Sequence, residues 1–178
     1  MVRQVTWYGR ARRLVLLGTL ALCACSSDSC TIAQRWLERS CGVGEAHALD
    51  ADLRAAGARA ETDLIDAYLT GPGRLGDEVA DEAGRQYDEV IAALDAGRSY
   101  GLSADEIAAV RSESRQAHVR DARGEYERAY RRAALSGLAV VGRREGLALL
   151  RRVAADPSSS DRETAMMALR RAGPPTPP

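Results

Sequence analysis

The sequence predicts an all-α fold, built from antiparallel helical hairpins and arranged as an irregular bundle or a short α-solenoid. Three observations predict it. Apolar residues recur at steps of three and four through most of the chain, the spacing that gathers them on one face of a helix. No stretch of useful length alternates apolar and polar residues as a half-buried strand would. The residues available for a core are mostly Ala, Leu and Val, with no Phe among 178 residues. Such an interior suits closely packed helices better than a β-sandwich.

The chain opens with segments that are not part of that fold. Arg3, Arg10, Arg12 and Arg13 make a basic front end with no acid to offset them, and Leu14 to Ala24 is a short apolar run. This order is the layout of a secretory signal peptide, and the run is shorter than the roughly 20 residues of a membrane-spanning helix. Leu22-Cys-Ala-Cys25 resembles the lipobox of bacterial lipoproteins, with Leu at −3, Ala at −1 and Cys at +1. The resemblance implies that the Cys25 thiol is diacylglycerated, that residues 1–24 are removed, and that the new amino group is acylated. Cys23 is the rival acceptor, but it would place the bulky Leu22 at −1, where a small residue is expected. Several acyl chains hold a protein on a membrane, since each buried methylene contributes about 0.8 kcal/mol. Ser26 in the +2 position implies the outer membrane in the enterobacterial sorting scheme. The expected partners are therefore the membrane, through the acyl chains, and another envelope protein.

Cleavage would leave 178 − 24 = 154 residues, a size suited to one domain. All 25 acids lie beyond Cys25 while 21 of the 25 basic residues do, so the mature chain carries 21 − 25 = −4. That mild acidity leaves no footprint for a nucleic acid, and none is expected as a partner. Every basic residue is Arg and Ala is abundant, a composition read as the codon bias of a GC-rich genome.

Residues 25–44 are read as a lipidated tether with one short helix. Thr31 to Ser40 carries Ile32, Trp36 and Leu37 and ends before Gly42. Cys30 and Cys41 flank it, and two cysteines in an oxidising compartment should pair. A continuous helix opposes the bridge, because eleven positions span about 16 Å along its axis. A disulfide needs Cα atoms roughly 4.4–6.8 Å apart. Either cysteine would have to leave the helix and double back. No third or fourth ligand is spaced to make a metal site with them.

Residues 45–173 are read as the all-helical domain. Glu45 to Thr70 places Leu49, Leu53, Ala56, Ala60, Leu64 and Tyr68 on one face, and Gly57 weakens its middle, which leaves one helix or two open. Gly71-Pro-Gly73 is a break. Leu75 to Ala96 carries the stripe Leu75, Val79, Ala83, Tyr87, Val90 and Leu94, with Asp81 and Arg85 as an i,i+4 pair and Gly97 as the stop. Ser103-Ala-Asp-Glu106 is a capping box opening a helical pattern that continues to Val141. A break or kink is expected near Arg123-Gly124, followed by a stripe of Tyr126, Tyr130, Ala134, Leu138 and Val141. Arg143 to Ala155 should turn Leu147, Leu150 and Ala154 inward and end at Asp156-Pro157. Ser160-Asp-Arg-Glu163 reads as a second capping box ahead of Ala165, Met166 and Leu169. Residues 174–178 are a Pro-rich tail.

The search for chemistry yields no catalytic residues, no metal site and no cofactor motif. His47 and His118 each stand alone on helices. Glu113, Asp121, Glu125 and Glu127 are interleaved with Arg115, Arg120, Arg123 and Arg128, as on a solvated helix face. Gly71, Gly73 and Gly76 lack the preceding strand of a phosphate loop. Tyr126 and Tyr130 share a helix face and read as core, with an interaction surface as the alternative.

Two further resemblances shape the functional expectation. Leu138-Ala-Val-Val-Gly142, Leu147-Ala-Leu-Leu150, the Asp156-Pro157 turn and Ala165 to Leu169 make residues 135–173 similar to a bacterial HEAT-type repeat. That family stacks antiparallel helix pairs into a solenoid with a concave binding face. Leu102-Ser-Ala-Asp-Glu106 with the polar helix behind it resembles the Leu-Thr-x-x-Gln motifs of helical periplasmic chaperones. The expectation is a non-catalytic envelope lipoprotein that presents a helical scaffold to another protein, with a periplasmic chaperone as the alternative and an enzyme as the remote third.

Overall fold

The computed structural model describes residues 31–41 and 46–172. The leader, Cys25, Cys30 and the Pro-rich tail lie outside these residues. Among the described residues every regular element is a helix, as the periodicity predicts. No helix among them is long and apolar enough to cross a membrane.

Helix α1 spans Ile32–Cys41. Thr31 starts it: its Oγ1 accepts from Gln34 N at 3.2 Å while Gln34 Oε1 accepts from Thr31 N at 2.9 Å. This is the reciprocal geometry of a capping box. Its inner face carries Ala33, Trp36 and Leu37, all 2% exposed or less. The segment read as part of a tether thus supplies the largest side chain of the core.

A short 3-10 turn, Ala46–Leu49, leads into α2, Asp50–Ala56. Gly57 then takes φ +55°, ψ −121°, which a side chain opposes, and α3 runs Ala58–Thr70. Of the two alternatives at Gly57, the stretch forms two helices. Gly71-Pro-Gly73 separates α3 from α4, Arg74–Asp95. Helix α5, Ala104–Ser112, begins with the predicted box, Ser103 Oγ accepting from Glu106 N and Glu106 Oε2 accepting from Ser103 N.

The pattern up to Val141 does break, but ten residues earlier than expected. Helix α6 is Arg115–Val141, 27 residues continuous through Gly124. Glu113 is extended and Ser114 caps the new helix by accepting from Ala117 N at 3.1 Å. Gly124 costs a helix about 1 kcal/mol relative to Ala. Here the turn around it is braced, since Arg123 binds Glu127 within α6 and Asp77 of α4. Gly142 closes α6 in the left-handed conformation that favours glycine, its N–H donating to the Leu138 carbonyl.

Helices α7, Arg144–Ala155, and α8, Arg162–Ala172, follow. Helix α7 buries Gly146, Leu149, Leu150 and Val153, so its inner face is turned by about one residue from the predicted Leu147, Leu150 and Ala154. The first bond of α8 runs from Ala165 N to the Asp161 carbonyl, so Asp161 stands where Ser160 was expected to cap.

The helices form an irregular bundle around α6, which packs against α1, α2, α3, α4, α7 and α8. The described part of the HEAT-like segment, residues 135–172, lies in the second half of α6, in α7 and in α8, with α8 resting on both of the others. Trp36, Leu37, Leu53, Leu64, Leu135, Leu138 and Leu150 are the fully buried large side chains. On α6, burial begins only at Tyr130 and continues to Val140. The first half of α6 faces α4 instead, and the two run antiparallel. Asp77 pairs with Arg123 at 3.0 Å, Asp88 with Arg115 at 3.0 Å, and Asp95 with Arg111 of α5 at 2.8 Å.

Candidate functional site

Polar chemistry gathers at four places in the bundle. The first is where the end of α1 meets α6. Cys41, in the last turn of α1, is a half-buried free thiol. Burial pushes it up to about 12, so it stays protonated and lacks the thiolate that makes a cysteine nucleophilic. Tyr126 and Tyr130 lie one turn apart on α6 with ring centroids 6.2 Å apart. Tyr130 is 8% exposed and belongs to the core; Tyr126 is half-buried against it. Burial, then the neighbouring Cys41, pushes both hydroxyls above their ordinary range. Glu38 is raised by desolvation as well. The structure therefore brings together three of the residues singled out from the sequence, Cys41, Tyr126 and Tyr130. All three are neutral at physiological pH. Cys30, the expected partner of Cys41, and Cys25, the expected lipidation residue, lie outside the described residues.

The second place is the joint between α5 and α6. The Tyr87 hydroxyl of α4 donates to the Glu113 carbonyl at 2.6 Å, taking up an acceptor that the broken helix leaves open. His118 packs on Tyr87, centroids 5.5 Å apart, with Nδ1 3.6 Å from Glu113 Oε2. Arg115 reaches across α4 at Gly84, where even a Cβ would collide with its guanidinium group. His118 is thus less isolated than the sequence suggests.

The third place escaped sequence reading. Glu61 on α3 is 6% exposed, and its Oε1 accepts from Gly146 N at 2.7 Å. Gly146 is in the first turn of α7, whose own Arg143 supplies no side-chain cap. A carboxylate from another helix therefore caps α7, favoured by the positive end of its dipole, and Arg143 Nε lies 3.5 Å from Oε2. Asp161 is buried beside Tyr68, whose hydroxyl is raised by burial and then by that carboxylate.

The fourth is a surface cluster joining α2 to α8. Arg171 Nη2 donates to Asp50 Oδ2 at 3.2 Å and lies 3.1 Å from Nδ1 of the exposed His47. On α4, Arg85 donates to Glu82 at 2.6 Å and holds that carboxyl below its usual range, so the i,i+3 partner takes the place of the expected Asp81. Among the described residues no three His, Cys, Asp or Glu side chains converge as a metal site would require. Glu61, Asp161 and the Tyr87–Glu113 bond each join helices, which assigns them to holding the bundle together. Comparison with protein-family models, curated proteins and solved structures finds no match for this chain.

Proposed function

We propose that the chain is a bacterial envelope lipoprotein, anchored by acyl chains on Cys25, whose helical domain is a non-catalytic scaffold for another envelope protein. The observation that carries this reading is the order of signals at the front: four arginines, the apolar run Leu14–Ala24, and the lipobox Leu22-Cys-Ala-Cys25. The outer membrane follows from Ser26 at +2. The scaffold half of the reading draws support from α4, which lies along the polar first half of α6 and leaves Asp81 and Glu89 exposed. A chaperone of the clamp type would instead present one long exposed helix over 103–141. The break at Ser114 and the cover of α4 favour the scaffold, and the HEAT-like segment 135–173 suits it.

The test is intact mass with membrane fractionation in a Gram-negative host, beside a Cys25→Ala variant. The reading expects the wild type to lose residues 1–24, gain acyl mass and sediment with outer membrane, and the variant to do none of these. Two soluble, unacylated proteins would overturn it.

A further inference from the structure

The charge of the domain is divided along the chain. Residues 74–127 hold seven arginines and thirteen acids, a net −6; residues 128–172 hold ten arginines and four acids, a net +6. The ion pairs of the second group use Arg143 and Arg171. Arg144, Arg151, Arg152 and Arg170 are exposed on α7 and α8 and join no ion pair among the described residues.

Two apolar side chains are exposed on the same helix as Arg170, on the side that also carries Glu163. Met166 and Met167 are 40% and 50% exposed, while Ala165 and Ala168 on either side of them are buried. Helix α8 thus has a settled inner face, and the methionines belong to the outer one. Arg170 follows them by four and three residues and shares their side of the helix. Helix α7 is built alike, with Leu149, Leu150 and Val153 inward and Arg151 and Arg152 outward. The two helices pack together, and Arg162 Nε donates to the Ala154 carbonyl at 3.2 Å across their junction.

We propose that this outward face of α7 and α8 docks on the anionic headgroups of a phospholipid bilayer. Guanidinium groups bind phosphate oxygens in a fixed fork. Unbranched, polarisable thioethers enter the interfacial layer readily. An acidic protein would satisfy the arginines and leave Met166 and Met167 without a role. The length of chain ahead of the domain agrees: five residues lie between Cys25 and Thr31, and the six steps from one to the other span at most about 22 Å. This last argument rests on the lipoprotein reading, while the face itself does not. Docked in this way, the negative segment 74–127 is repelled from the same surface and left available to a partner.

Peroxide oxidation of Met166 and Met167, read by peptide mass, tests the proposal on the purified wild-type protein. The protein is mixed with excess vesicles of phosphatidylcholine alone, or of phosphatidylcholine and phosphatidylglycerol in equal parts. The proposal expects both methionines to oxidise roughly tenfold more slowly on the vesicles containing phosphatidylglycerol, because each arginine near an anionic surface adds to the attraction. Combined Arg151→Glu, Arg152→Glu and Arg170→Glu substitutions, all at exposed positions, should abolish the protection with the helical spectrum unchanged. Equal oxidation on the two vesicle types overturns it. So does protection by polyglutamate but not by vesicles, or protection that grows with protein concentration in their absence. Failure to sediment with phosphatidylcholine alone strikes the acyl anchor and leaves the methionine comparison readable.

Discussion

The segment 74–127 and the remainder of the bundle share the helix α6 but are held by different forces. Around the second half of α6, Trp36, Leu37, Leu64, Leu135 and Leu138 are 2% exposed or less. Burying one such side chain contributes roughly 1.5–3 kcal/mol. Around the first half, the residues buried on α4 are Gly76, Ala83, Gly84, Ala93 and Leu94, and Tyr87 is half-buried. Beside the Tyr87 hydrogen bond to the Glu113 carbonyl, the polar contacts include three Asp–Arg pairs, whose side chains are 47–60% exposed. Pairs so exposed contribute about 0–1 kcal/mol each. Apolar periodicity is equally clear in both regions; the size of the residues on the stripe separates them. The α4 hairpin is therefore carried by an α6 whose other end is fixed in the core.

The largest effect expected from that difference comes from Trp36→Ala. It removes a buried aromatic and its hydrogen bond to the Ala133 carbonyl, and should cost about 3–5 kcal/mol. Domains of this size are stable by only about 5–15 kcal/mol, so the urea midpoint should fall steeply. Leu94→Ala, in the hairpin, should cost nearer 2 kcal/mol. Equal losses would break the distinction between the regions.

Glu61 should come next. Glu61→Ala leaves the Gly146 amide buried without its acceptor and Arg143 without its carboxylate, a loss of about 2–3 kcal/mol. Glu61→Gln keeps an acceptor oxygen and should cost about half as much. If the two variants unfold at the same urea concentration, the carboxylate is not acting as the cap of α7.

The same substitution at two helical glycines sharpens the comparison further. At Gly137 a Cβ would stand 2.8 Å from Trp36 Nε1 and 3.0 Å from Leu64 Cδ1, both fixed in the core. At Gly84 it would meet only the end of the Arg115 side chain, which can swing into solvent. Overpacking costs about 1–3 kcal/mol, and replacing a helical Gly by Ala returns about 1 kcal/mol. Gly137→Ala should therefore destabilise by about 1 kcal/mol, while Gly84→Ala should be neutral or slightly stabilising. Destabilisation by both, measured in urea, would mean that Arg115 is locked on α4.

How much of this was legible in the sequence depends on the range of the interaction. The division at Gly71-Pro-Gly73 and the box at Ser103–Glu106 are local, and each stands as expected. The break stands at Ser114, not near Gly124 where the pattern places it. Ser114 lacks a Glu three residues on, and the bond that secures the joint comes from Tyr87, 26 residues before its acceptor. Glu61 reads as one more surface acid because Gly146 is 85 residues away. Of the candidate site, the meeting of Tyr126 and Tyr130 follows from their i,i+4 spacing. Their contact with Cys41 does not, since it depends on where α1 docks. The lipidation proposed at Cys25 rests on a local sequence signal, which needs no fold to be read.

Salt should give the smallest and most local effect. Screening shortens the reach of charge from about 10 Å at 0.1 M to about 3 Å at 1 M. The pairs Asp77–Arg123, Asp88–Arg115 and Asp95–Arg111 join α4 to α5 and α6 at three levels. If they align the hairpin, raising salt to about 1 M should speed amide exchange a few-fold in α4 and α5, as expected for pairs worth a few tenths of a kcal/mol each. Exchange around Trp36, Leu64 and Leu138 should be unaffected, since apolar burial is not screened. Asp88→Asn at low salt should reproduce part of the effect near Arg115. Salt-independent exchange in α4 would assign the hairpin to its half-buried stripe of Leu75, Val79, Tyr87 and Val90. The two regions would then differ in degree of burial and no longer in the kind of force that holds them.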